Sequence, residues 1–246
     1  MRTAQVLIIG NEILSGRTED TNSHFLAKRL HDYGIKVTRI FVVPDETDAI
    51  VAAIRQNHQS SDYFFVAGGI GATPDDKTRK AVAVAMGTKL VRHPEVERRL
   101  REFYLDDVNE ARLSMADLPE GALLIDNPLT KAPGFKVKNL YVFAGIPRLL
   151  QAMFQNIEVE LETTPVFERE IFVPAGEGQI TELLKVITAK YPDVELGSYP
   201  QFDIAETSLP HSKRHPKTIL VFKGLNKELV EDAFREMSEL IARHRL

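Results

Sequence analysis

The sequence predicts an α/β domain with a mostly parallel sheet over residues 1–163 and a small α+β unit over residues 164–246. Three observations predict it. In the first part, short apolar runs alternate with segments that carry one apolar stripe at helical spacing, the pattern of successive βαβ units. Several of those apolar runs stop at glycine or proline, where strands end. After Thr163-Thr164-Pro165, a turn-rich point, the order of elements changes.

Each element has its own warrant. Residues 5–9, apolar from Val6 onward, form a run that ends at Gly10, as suits a strand buried on both faces. Asp20 or Thr21 caps a helix whose stripe is Phe25, Leu26, Leu30 and Tyr33, and Gly34 closes it. A second strand covers 35–43 and stops at Pro44. A helix over 47–57 turns Ile50, Val51 and Ile54 inward, and a third strand, 63–67, ends at Gly68. Helices follow at 77–86 and 94–108. Short strands are expected at 122–125, 135–137 and 140–143, and Pro147 opens a helix reaching about residue 160. The second unit reads as strand 167–173, helix 179–189, strands 194–199 and 218–222, and helix 226–242.

Composition narrows the function. At 43% apolar and 27% charged, 246 residues bury a core without staples. There is no cysteine, which excludes disulfides, Cys-based zinc sites and thiol nucleophiles. The net charge is −4, and the densest basic run, His211-Ser212-Lys213-Arg214-His215, lies between prolines as a solvated loop, so no nucleic-acid partner is expected. No apolar stretch approaches the roughly 18 residues of a membrane span. Met1-Arg2-Thr3 runs directly into a strand, so neither a signal peptide nor a membrane is expected, and a cytoplasmic location is the default. Neither a G-x-S-x-G elbow nor an H-E-x-x-H motif occurs.

The chemistry concentrates in Val66-Ala67-Gly68-Gly69-Ile70-Gly71-Ala72-Thr73-Pro74-Asp75-Asp76-Lys77-Thr78. Gly68, Gly69 and Gly71 allow a sharp turn and close approach to a ligand. Consecutive amides there can form an anion nest in front of a helix N-terminus. Thr73 and Thr78 add hydroxyls. Asp75 and Asp76 would repel a phosphate unless a divalent cation lay between, and magnesium typically takes one or two carboxylates plus phosphate oxygens. The same acids also suit a capped first turn with no ligand. Gly10, Asn11 and Glu12 follow the first strand on the same sheet edge. Glu12 is the candidate base or metal ligand, with Asp45, after strand two, behind it. Lys131, Gly134 and Gly145 lie in later turns; Lys131 is equally an ordinary surface lysine. Gly176-Glu177-Gly178-Gln179 reads as a structural turn.

Three segments together resemble a known family. Gly10-Asn11-Glu12-Ile13-Leu14-Ser15-Gly16, Asp20-Thr21-Asn22-Ser23 and Gly68 to Thr78 are similar to the molybdopterin-binding (MoaB/Mog-like) domain of the competence/damage-inducible protein A family, which also fronts eukaryotic FAD synthases. Ala132-Pro133-Gly134-Phe135 and Gly145-Ile146-Pro147 match its later loops. The resemblance covers about residues 4–160 and, more loosely, the small unit. It implies a three-layer α/β/α fold and is compatible with a homo-oligomer. It implies a metal-dependent (Mg, Mn or Co) pyrophosphatase-type hydrolase acting on ADP-ribose or FAD. The alternatives are a pterin or nucleotide binding module without turnover, or a molybdopterin adenylyltransferase. Ala72 stands where the family usually has proline, and Ala144 and Leu149 replace its frequent Pro and Glu; Ala72 and Leu149 favour binding without turnover. No stretch resembles the amidase domain of longer members or the nucleotidyltransferase of FAD synthases.

Overall fold

The computed structural model describes residues 1–201 and 217–244. The basic run 211–215 lies outside the described residues. The chain forms two compact units, Met1–Thr164 and Pro165–Leu246.

In the first unit, β1 (Thr3–Ile9), β2 (Lys36–Val43), β3 (Tyr63–Ala67), β6 (Leu123–Ile125), β7 (Gly134–Val137) and β8 (Leu140–Phe143) form one sheet in the order β2-β1-β3-β8-β7-β6. The pairs β1–β2, β1–β3 and β3–β8 are parallel; β7 is antiparallel to both its neighbours. The loops after β1, β2, β3 and β8, and the β6–β7 connection, therefore all reach the same edge of the sheet. Carboxyl ends of parallel strands are where open α/β sheets take ligands.

The sheet is covered on both faces, which explains why β1 and β3 read as unbroken apolar runs. On one face Val6, Ile8, Phe65 and Phe143 pack with Leu26 and Leu30 of α2 (Thr21–Asp32) and Leu150 and Phe154 of α7 (Pro147–Gln155). On the other, Leu7, Ile9, Phe64 and Val66 pack with Ile50 and Ile54 of α3 (Thr47–Asn57), Ala81 and Val82 of α4 (Thr78–Met86) and Val96 and Leu100 of α5 (Pro94–Tyr104). Each fully buried side chain of this kind contributes about 1.5–3 kcal/mol of transfer free energy. Phe65 centres an aromatic cluster with Tyr141, Phe143 and Phe154.

Several expected boundaries move. Lys77 is not the first residue of α4, because Thr78 opens it. The helix expected over 94–108 stops at Tyr104, where Leu105 takes a φ of 47° and a short 3₁₀ turn follows. The helix from Pro147 ends at Gln155 rather than near 160, again passing into a 3₁₀ turn. A two-stranded pair, β4 (Leu90–Arg92) with β5 (Asp117–Pro119), was not predicted. Between them lies α6 (Glu110–Leu113). Arg92 bonds Asp117 across that pair, and this raises the arginine's pKa.

The second unit is a three-stranded antiparallel sheet, order β10-β11-β9, made of β9 (Phe167–Val173), β10 (Glu195–Gln201) and β11 (Lys217–Gly224). The helices α8 (Glu177–Lys190) and α9 (Lys227–His244) share its core, in which Val173, Leu220 and Phe222 meet Ile180, Ile187, Val230, Ala233 and Met237. Gly176 precedes α8, and its N–H donates to Gln179 Oε1 at 3.0 Å, so this glycine pair is a structural helix start.

Candidate functional site

The glycine loop leaves β3 as a continuation of the ladder, with Gly68 N–H donating to Phe143 O at 3.1 Å. Gly68 then takes a φ of +110° and Gly69 one of +67°. A Cβ on Gly68 would overlap the Ile9 carbonyl oxygen, so only glycine fits between β1 and this turn. On the far side a Cβ on Gly145 would lie 3.2 Å from Gly68 Cα. The turns after β1, β3 and β8 thus converge on Gly68.

Thr78 anchors the other end of the loop. It is fully buried, its hydroxyl donates to Gly68 O at 2.8 Å and its N–H to Gly69 O at 3.0 Å. Asp76 folds back across the loop. Its Oδ1 accepts Gly71 N–H at 2.7 Å, and its Oδ2 accepts Thr73 N–H at 2.8 Å and Thr73 Oγ1 at 2.5 Å. These bonds leave the amides of Gly69, Ile70 and Ala72 without an acceptor among the described residues. Unpaired amides on a glycine turn are the groups from which anion-binding concavities are built.

Asp45 joins neighbouring loops. Its Oδ2 accepts Asn11 N–H at 2.7 Å, and its backbone carbonyl accepts Lys77 Nζ at 2.9 Å. Gly10 N–H donates to Val43 O. The Glu12 carboxylate is exposed, lies against Gly10 Cα and accepts no hydrogen bond among the described residues. Of the four acids singled out in the sequence, Asp45 and Asp76 are thus committed to backbone amides, while Glu12 and the exposed Asp75 stay at the surface. Among the described residues no group of three or more His, Asp or Glu side chains is placed to hold a metal. This donor set does not make an all-protein metal cage.

The structure does not gather every candidate. Gly134 is buried at the start of β7, where a Cβ would overlap Val142 O, so its role is packing. Lys131 adopts a φ of 62° in a turn organised by buried Asn127, whose Nδ2 donates to Thr130 and Ala132. Its side chain lines a separate open depression of about 510 Å³ with Arg99, Glu102, Phe103 and Asp126.

Asn22, considered in sequence only as part of the Asp20–Ser23 helix start, and Arg79, not singled out at all, bond carbonyls of the converging loops. Asn22, on α2, is 8% exposed; its Nδ2 donates to Gly145 O at 2.6 Å, while its Oδ1 is buried with no hydrogen-bond partner among the described residues. Arg79, on α4, is 7% exposed and donates to Ile70 O and, at 2.7 Å, to Gly71 O. Burial lowers its pKa, and the charges of Asp76 and Asp117 oppose that shift. Both had a sequence signal. Asn22 shares a stripe with Leu26 and Leu30, and Arg79 precedes buried Val82 and Ala83 by three and four residues, so each is a polar residue on an apolar helix face.

Residues 5–163 match the family described as probable molybdopterin binding domain, and the chain belongs to that family. Residues 165–246 match the FAD synthase middle domain. The chain is 33% identical over 237 residues to a protein of Archaeoglobus fulgidus, covering 96% of each. A CinA-like protein of Shewanella sp. is 29% identical over 89% of this chain and 57% of its own length. A probable FAD synthase of Caenorhabditis elegans is 28% identical over 99% of this chain, which spans about 50% of that relative. Among solved structures, the protein CinA of Thermoplasma acidophilum, whose function is unknown, aligns with 65% of this chain and 97% of its own at a TM-score of 0.62 and 34% identity. No helix among the described residues is long and apolar enough to cross a membrane.

Proposed function

We propose that the first unit binds the diphosphate of a nucleotide, of the ADP-ribose or FAD class, on its glycine loop and hydrolyses the phosphoanhydride. The observation that carries this reading is the set of unclaimed amides of Gly69, Ile70 and Ala72 at the carboxyl end of a parallel strand. They would hold phosphate oxygens. Glu12 is the carboxylate free to take a proton from an attacking water, as the bridging P–O bond breaks and the second phosphate leaves. A divalent ion, when bound beside Asp75 and the phosphates, would neutralise their charge.

The test is incubation of the purified protein with ADP-ribose or FAD and Mg²⁺, Mn²⁺ or Co²⁺. The expected product is AMP, formed about 10²-fold or more slowly by Glu12→Gln. No AMP from either substrate with any of the three ions sinks hydrolysis.

A second reading is a nucleotide or pterin phosphate binding module without turnover. The commitment of Asp45 and Asp76 to backbone amides favours it, because it leaves few acids for catalysis. It predicts calorimetric binding of the same ligands with no AMP release.

A further inference from the structure

Arg79 is a buried guanidinium with no carboxylate in hydrogen-bond or ion-pair contact among the described residues. A buried charge ordinarily has a counter-ion, because desolvating it alone costs several kcal/mol. Here its nitrogens reach only two carbonyls, those of Ile70 and Gly71. A trans peptide points its N–H opposite to its C=O. By drawing both carbonyls inward, Arg79 turns the N–H groups of Gly71 and Ala72 outward. The first goes to Asp76 at 2.7 Å, and the second is unclaimed.

We infer that Arg79 is the positioning residue of the anion site, setting the loop's peptide planes from beneath and supplying a buried positive charge that the bound phosphates balance. The inference rests on the phosphate reading of the glycine loop and adds to it the residue that makes the loop selective for charge. The charges of Asp76 and Asp117 act on Arg79 from nearby, but neither bonds it: the oxygens of Asp76 face the amides of Gly71 and Thr73, and Asp117 pairs with Arg92. Asn22 Oδ1, on the residue that bonds the neighbouring Gly145 turn, is likewise buried with no hydrogen-bond partner among the described residues.

The experiment is calorimetric titration of ADP into the full-length protein and into Arg79→Lys, Arg79→Gln and Arg79→Met, each checked for folding by circular dichroism. Arg79→Lys, which keeps the charge, is expected to bind within about threefold of the parent. Arg79→Gln, which keeps a donor without charge, and Arg79→Met are expected to bind about tenfold or more weakly. If Arg79→Gln binds ADP like the parent, the residue only shapes the loop and the inference is overturned. Failure of both neutral variants to fold, while Arg79→Lys folds, also overturns it, since the charge would then be needed without a ligand. If the parent itself does not bind ADP, the phosphate reading fails and takes this inference with it; normal binding by Arg79→Met sinks the inference alone.

Discussion

The carboxylate of Asp76 closes on Gly71, five residues back, accepting its N–H at 2.7 Å while also holding the N–H and hydroxyl of Thr73. An acid that reads in sequence as a metal ligand is, in the fold, the brace of the loop that precedes it. Asp76→Ala would leave two amides without their acceptor at a half-exposed position. We expect a loss of about 1–2 kcal/mol, the lower part of the range for bonds to a charged group because water reaches the site. Urea unfolding monitored by circular dichroism checks the value.

Gly68 is the point where three turns converge, and its backbone admits no side chain. Gly68→Ala combines a positive φ with overlap against the Ile9 carbonyl. The expected cost is about 2 kcal/mol or more. Gly87, with a φ of +69° and open space around its Cα, is the control, for which Ala costs about 1–2 kcal/mol from conformation alone. Thermal unfolding of the two variants separates steric overlap from conformation.

Acid should weaken the first unit through Asp62. Its carboxylate accepts the Thr3 N–H and hydroxyl and pairs with Arg2, and these contacts, the Thr3 amide foremost, lower its pKa from 3.8 to about 2. The folded value lies below the unfolded one, so the stabilisation is full above pH 4 and is lost as the pH falls from about 4 to about 2. With both partners partly in solvent, its size is about 1 kcal/mol. In Asp62→Asn that part of the pH dependence should disappear, as read from urea midpoints across the acid range.

The residues proposed to hold phosphate all belong to the first unit. Phe222, fully buried in the core of the second, therefore offers a control distant in sequence. Phe222→Leu is expected to lower stability by about 1–2 kcal/mol while changing ADP affinity less than twofold. Unfolding and calorimetry on the same sample test both halves.

Much of the fold could be read from the chain because local signals agreed with the tertiary outcome. Residues 47–57 and 63–67 carry clear periods, and their ends coincide with α3 and β3. The sheet's parallel half follows from βαβ alternation alone. The pair β4–β5 could not be read: each strand has three residues, Leu90 and Val91 are exposed, and the partners lie more than two dozen residues apart. The end of α5 depends on a left-handed Leu105, which no propensity favours. At the site, the glycines announced a turn. Which acid faces the loop and which faces water is decided by backbone geometry several residues away, so Asp75 and Asp76 look alike in sequence and differ in the fold. Arg79 was hidden by its type, since a helix arginine is ordinarily solvated.

The most direct test of the proposed anion site is the backbone amide NMR spectrum of the isotopically labelled protein as ADP is added. The account predicts that the largest shifts fall on the N–H groups of Gly69, Ile70 and Ala72, with smaller ones at Gly10 and Gly145. Saturable shifts centred elsewhere, with those three amides unmoved, would contradict it.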